Sequence, residues 1–192
     1  MRMRQMIPLY TIGHSIHPID DFIGMLRHYA IEVLVDVRTV PQSRRNPQFG
    51  QQALRKSLES AGIDYVHMQR LGGLRTPAKG SDVNAGWRNS SFRGYADYMQ
   101  TADFSGAVEE LIAIGAGKRT AMMCAEAVPW RCHRSLVGDA LLVRGIDVID
   151  IMSTEKSKPH TVTTFAKVSG TQVTYPAAQG ALGLPPVTEG ED

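Results

Sequence analysis

The sequence is poor in several features that would otherwise narrow its class. It has two cysteines in 192 residues, Cys124 and Cys132, too few for a disulfide scaffold. It has no apolar run near the roughly 18 residues that a membrane helix needs, which excludes an integral membrane protein of that kind. The start, Met1-Arg-Met-Arg-Gln-Met, carries a basic flank, but Pro8 interrupts a short apolar stretch and no small-residue cleavage site follows. The expectation is therefore no secretory signal and a cytoplasmic location. No internal repeat is visible. The Gly-x-Gly-x-x-Gly dinucleotide fingerprint is absent.

What is present suits one domain, or a domain with a tail: 43% of residues are hydrophobic and 21% charged, enough to bury a core. The net charge of +2 is unevenly spread: −1 over residues 1–37, +7 over 38–93 and −4 over 94–192. Arginine outnumbers lysine fifteen to six, and arginine is the residue for bidentate recognition of phosphate or carboxylate. The basic middle segment points to an anionic partner, a small molecule or a nucleic acid.

Hydrophobic periodicity predicts strands at 9–12, 33–37, 63–68, 120–124 and 146–151. Helices are expected between them, at 18–30, 51–61, 95–100 with 104–114, and 129–143. The strand–helix alternation implies a three-layer α/β/α fold, Rossmann-like, with a mainly parallel five-stranded sheet. The expected strand order is 3-2-1-4-5, with 2-1-3-4-5 as the alternative. Residues 1–152 form this α/β domain. From 153 the composition turns to Ser, Thr, Pro and Gly, and a C-terminal extension is expected. It would hold a β-hairpin over 161–175, turning at Ser169-Gly170-Thr171, and then a loose tail. Residues 69–93 read as a long loop in which Trp87 and Phe92 either pin the segment to the core or stack on bases.

Ligands of parallel α/β sheets bind beyond the carboxyl ends of the strands, and the unusual residues fall there. Gly13, His14 and Ser15 follow the first strand. Asp36, Arg38, Ser43 and Arg44 follow the second, Gly72 and Gly73 the third, and Cys124 and Glu126 the fourth. Cys132, His133 and Arg134 read as the first turn of the next helix, where free N–H groups favour an anion and a thiolate. Catalytic candidates are Glu126, His14, His133, Cys124 and Cys132. Ligand-binding candidates are Gly13, Ser15, Asp36, Arg38, Ser43, Arg44, Gly72, Gly73 and Arg134. Glu126 either pairs with Arg131 or Arg134, or works as an acid or base, and it forms a candidate acid–base pair with His133. A zinc site from both cysteines, His14 and His133 lacks the usual spacing, so no metal is expected. A phosphatase-like or rhodanese-like loop fails, because an arginine should stand where Trp130 does. A redox disulfide between the cysteines is geometrically possible but is not read from their spacing. The sequence leaves the cofactor open.

Taken together, Thr11-Ile-Gly-His-Ser15, Asp36-Val-Arg38 with Pro41 and Ser43-Arg44, Asn46-Pro-x-Phe49, Leu71-Gly-Gly73 and Cys124-Ala-Glu126 with Cys132-His-Arg134 resemble the family catalogued as domain of unknown function 488. The resemblance runs over about residues 9–152. It implies a cytosolic α/β protein and supplies neither a reaction nor a catalytic residue. Three functional classes follow from the residues: an enzyme acting on a phosphorylated or nucleotide-like anion, a non-catalytic nucleic-acid-binding module, and a cysteine-based redox switch.

Overall fold

A computed structural model describes residues 7–178. The expected basic start and most of the expected tail over 176–192 lie outside the described residues. The apolar runs Leu9–Gly13 (β1), Val33–Asp36 (β2) and Thr120–Cys124 (β4) are buried along their whole length, as strands covered on both faces must be. With Asp64–His67 (β3) and Val148–Ile151 (β5) they form a parallel sheet. Ser157–Pro159 (β6) from the extension adds an antiparallel sixth strand at the edge.

The helices are Ile19–His28 (α1), Gln51–Ser60 (α2), Ser90–Tyr98 (α3), Ala102–Gly115 (α4) and Arg134–Leu142 (α5). Alternation along the strands splits the core in two. Tyr10, Ile12, Leu34, Ala121 and Met123 meet Phe22, Met25 and Leu26 of α1 and Leu54 and Leu58 of α2. Leu9, Val33, Val35 and Met122 meet α3, α4 and α5 on the other face. This is the three-layer architecture the alternation predicts.

The strand order differs from the expected one. It is β3-β2-β4-β1-β5-β6, so β4 is inserted between β2 and β1. Alternation fixes strand direction but not the slot each strand takes. Burial separates the edge from the interior, since β3 has exposed and half-buried positions and lies at an edge, but β1, β2 and β4 are equally covered and their order is set by tertiary packing. β1 and β4 are neighbours all the same, with Gly13 opposite Cys124 and the His14 N–H donating to the Cys124 carbonyl at 3.0 Å.

The extension packs onto the α4/α5 face. Lys167–Ser169 (β7) and Gln172–Thr174 (β8) form the predicted hairpin across Gly170-Thr171, shorter at its start than expected. Val173 and Tyr175 are buried in the core beneath it. Trp87 packs against Phe92, Phe165 and Tyr175 at centroid distances of 4.7, 4.9 and 5.5 Å. The long loop is thus pinned to the hairpin, the first of its two expected roles. No described helix is long and apolar enough to cross a membrane.

Candidate functional site

The carboxyl ends of β2, β4 and β1 lie side by side, so the segments that leave them converge. Between these segments, the turn after β3 and the start of α3 lies a cavity of about 370 Å³, a size suited to a small ligand. Six of the predicted residues line it: Arg38, Gly73, Cys124, Glu126, Cys132 and His133. Thr39, Val40, Leu74, Ser91, Phe92 and Arg131 add to the wall.

Asp36 and Arg38 form the firmest part of the frame. Both are buried, and Arg38 donates from Nε and Nη2 to the two carboxylate oxygens at 2.8 and 2.6 Å. The same carboxylate accepts from the Arg38 N–H and from the Tyr65 hydroxyl. A carboxylate with four donors holds its arginine in one geometry. Asp36 is therefore a support for Arg38 and does not line the cavity.

His14 lies behind the same wall. Its Nδ1–H donates to the Ser15 carbonyl, which leaves the Nε2 lone pair to accept from Arg38 Nη1 at 3.4 Å. The ring stacks on Phe49 at 4.3 Å. Burial, with Arg38 as a smaller contribution, lowers its pKa to about 4. His14 is neutral at physiological pH and orients Arg38.

His133 donates from Nε2 to the Val37 carbonyl at 3.2 Å, so Nδ1 carries the lone pair and faces Cys132 Sγ at 3.5 Å. Burial, aided by the charge of Arg134, holds its pKa near 4. Gly73 exists because of this ring: a Cβ there would lie 2.4 Å from His133 Nδ1. Gly13 is required in the same way, since a Cβ would lie 1.8 Å from the Glu126 carbonyl oxygen. Gly72 approaches Thr39. These glycines let protein segments close on one another around the cavity, and only Gly73 borders it.

The segment after β4 differs from the expected helix over 129–143. Pro129–Arg131 is a single 3-10 turn, Cys132 is extended (φ −136°, ψ 145°), and α5 begins at Arg134. Cys132 therefore precedes the helix instead of sitting in its first turn, and its carbonyl engages the Ser135 N–H.

Arg134 points inward and is fully buried. Its Nη1 donates to the Glu126 carbonyl at 2.7 Å and to Cys124 Sγ at 3.0 Å, and Nη2 donates to the Ala127 carbonyl. It binds the backbone of Glu126, and no described carboxylate pairs with it. Burial lowers its pKa to about 10. The Glu126 side chain is exposed at the rim and pairs with neither Arg131 nor Arg134 among the described residues. Cys124 and Cys132 form a disulfide on the cavity wall, with Cα atoms 7.5 Å apart.

The remaining candidates lie elsewhere. Ser15 supplies its carbonyl to His14 and to the Asn46 side chain. Ser43 Oγ accepts the Asn46 N–H, and Arg44 is exposed beyond the cavity. Ser91 was reachable from the sequence: Asn89-Ser-Ser is a helix-start signal. Asn89 does cap α3, accepting from the N–H groups of Ser91 and Phe92. Among the described residues no cluster of three metal-ligating side chains occurs.

These features define an α/β protein with a cysteine- and arginine-lined cavity at the carboxyl edge of a parallel sheet. The chain belongs to the family described as Domain of unknown function DUF488, whose profile matches residues 18–141. The matched span takes in every predicted site residue except Gly13, His14 and Ser15. Neither the curated proteins nor the solved structures gave a match.

Proposed function

We propose that the protein is a cytoplasmic enzyme that takes a phosphorylated or nucleotide-like anionic small molecule into this cavity. Cys124, once reduced, is its reactive thiolate. The observation that carries the reading is the contact of a fully buried Arg134 guanidinium with Cys124 Sγ, with no described carboxylate in ion-pair contact and Asp150 and Glu126 acting on it only from farther away. A guanidinium at that distance favours the thiolate over the thiol. Arg131 supplies positive charge to the cavity and Arg38, its own charge balanced by Asp36, lines the wall, while Leu74 and Phe92 offer an apolar surface for an organic moiety. The Glu126 carboxylate at the rim is the group suited to acid–base work, because it is exposed and His133 is too weak a base.

The nucleic-acid reading has less support. Much of the basic excess of residues 38–93 is consumed within the fold. Arg38 is tied to Asp36, Arg70 to Asp103 and Glu110, and Arg93 to Asp82. Arg75 stacks on Tyr98.

The test is a thermal-shift screen of the reduced protein with nucleotides, sugar phosphates and short oligonucleotides at two salt concentrations. A specific ligand stabilises by mass action. The expected result is stabilisation by one small anion that persists at high salt, is lost in Arg131→Ala and survives in Arg44→Ala. Glu126→Gln keeps the shift and loses turnover. Stabilisation by oligonucleotides alone, erased by salt, overturns the reading.

A further inference from the structure

The two sulfurs on the cavity wall have neighbours suited to different halves of a redox cycle. Cys124 Sγ faces Arg134 Nη1 at 3.0 Å. The other polar contacts of that guanidinium are the carbonyls of Glu126 and Ala127, and its Nε is buried without a partner. When the disulfide is reduced, the anion in direct contact with this charge is the Cys124 thiolate, while the Asp150 and Glu126 carboxylates act on it from farther away. Cys132 Sγ faces the Nδ1 lone pair of His133, because the other ring nitrogen is committed to the Val37 carbonyl. Nδ1 is thus placed to accept a hydrogen bond from the Cys132 thiol and hold its sulfur toward Cys124. Both sulfurs are otherwise buried, and the cavity is their route to solvent.

We propose that Cys124 and Cys132 are a dithiol couple that reduces small hydroperoxides, with Cys124 attacking and Cys132 resolving. The Cys124 thiolate attacks the terminal peroxide oxygen. An S–O bond forms, the O–O bond breaks, and the departing alkoxide (or hydroxide) takes a proton from water. Cys132, its thiol proton released to water in the cavity, then attacks the Cys124 sulfenic sulfur. The S–S bond forms, the S–O bond breaks, and the leaving hydroxide takes up that proton to depart as water. Two thiols and one hydroperoxide become one disulfide, one alcohol and one water. An external dithiol resets the pair by exchange. In the cytosol of most organisms disulfides are transient and serve catalysis or sensing, which suits a bond that sits in a cavity. The inference deepens the cysteine-dependent reading above by adding its regulation: while the S–S bond stands, Cys124 cannot act on a ligand.

The test uses the reduced, desalted full chain and hydrogen peroxide. One equivalent of peroxide should remove both titratable thiols. In Cys132→Ser, a 1,3-diketone should trap a sulfenic acid on Cys124, and Cys124→Ser should react no faster than free cysteine. The unmodified chain gives a readout that needs no variant. A free thiol is mostly protonated at pH 6, so Cys124 should react on the order of 100-fold faster than free cysteine there, from thiolate fraction alone. Its rate should change little up to pH 8. Reaction at the free-cysteine rate at pH 6, or diketone capture on Cys132 in the unmodified chain, overturns the proposal. Fast peroxide reduction with no anion stabilising the reduced protein overturns only the ligand reading. Anion stabilisation with slow peroxide reduction overturns only the redox couple.

Discussion

His160 joins Asp139 to Asp150: its Nε2 lies 3.0 Å from Asp139 Oδ1 and its Nδ1 3.0 Å from Asp150 Oδ2. Asp139 and Asp150 are buried, the His160 ring is largely covered, and Asp139 also accepts from the Tyr175 hydroxyl and the Thr163 N–H. One imidazolium therefore ties α5, β5 and the extension together.

This clamp makes stability depend on pH in a defined direction. Although burial opposes it, hydrogen bonding to the two carboxylates raises the His160 pKa to about 9. In the unfolded chain it is about 6.5. The contribution is complete below about pH 6.5 and is lost as pH rises through about 9, on the order of 3 kcal/mol. His14 and His133, both held near 4, act in the opposite sense. Their contribution is complete above about pH 6.5 and is lost as pH falls toward 4. Melting temperature should therefore peak near pH 6.5. In His160→Gln the alkaline decline between pH 6.5 and 9 should flatten. An unchanged alkaline slope in that variant would rule the clamp out as its cause.

Asp36→Asn should be among the most damaging conservative changes. It leaves Arg38 buried with an uncompensated charge, at a cost of about 3–5 kcal/mol. Tyr65→Phe removes one hydroxyl from the same carboxylate and should cost about 1 kcal/mol. Urea unfolding of the two variants gives the comparison. Equal losses would show that the ion pair adds nothing beyond an ordinary hydrogen bond.

Gly13→Ala and Gly24→Ala separate close packing from chain freedom. At Gly13 the new Cβ meets backbone, the Glu126 carbonyl, which cannot move aside cheaply. A loss of about 3 kcal/mol or more is expected. At Gly24, within α1, a Cβ meets nothing, and a gain of about 0.5–1 kcal/mol is expected. Similar melting temperatures for both variants would contradict the close approach of the β1 and β4 ends.

Much of this was legible in the sequence because periodicity reports burial. The apolar runs marked the five parallel strands, and the polar residues at their ends marked the cavity edge. What escaped depended on tertiary context. Ser157–Pro159 carries no apolar signal and becomes a strand only because β5 offers it an edge. The helix expected from Pro129 is split, because Pro129–Arg131 forms a separate 3-10 turn and α5 begins only at Arg134. Gly13 and Ser15 looked like ligand contacts, and the partners they meet are protein atoms. Residue type revealed the neighbourhood, and only packing separated the wall of the cavity from its scaffolding.

The insertion of β4 between β2 and β1 has a consequence for synthesis. Both sheet partners of β1, namely β4 and β5, lie more than a hundred residues downstream of it. As the chain emerges from the ribosome, β2 and β3 can pair early, but β1 must wait with both edges bare until residues 120–151 have been made. The amino-terminal half therefore cannot mature as an independent unit, and its unpaired apolar strands are exposed to misassembly for much of translation. Chaperone dependence in this protein would originate in the order of its sheet.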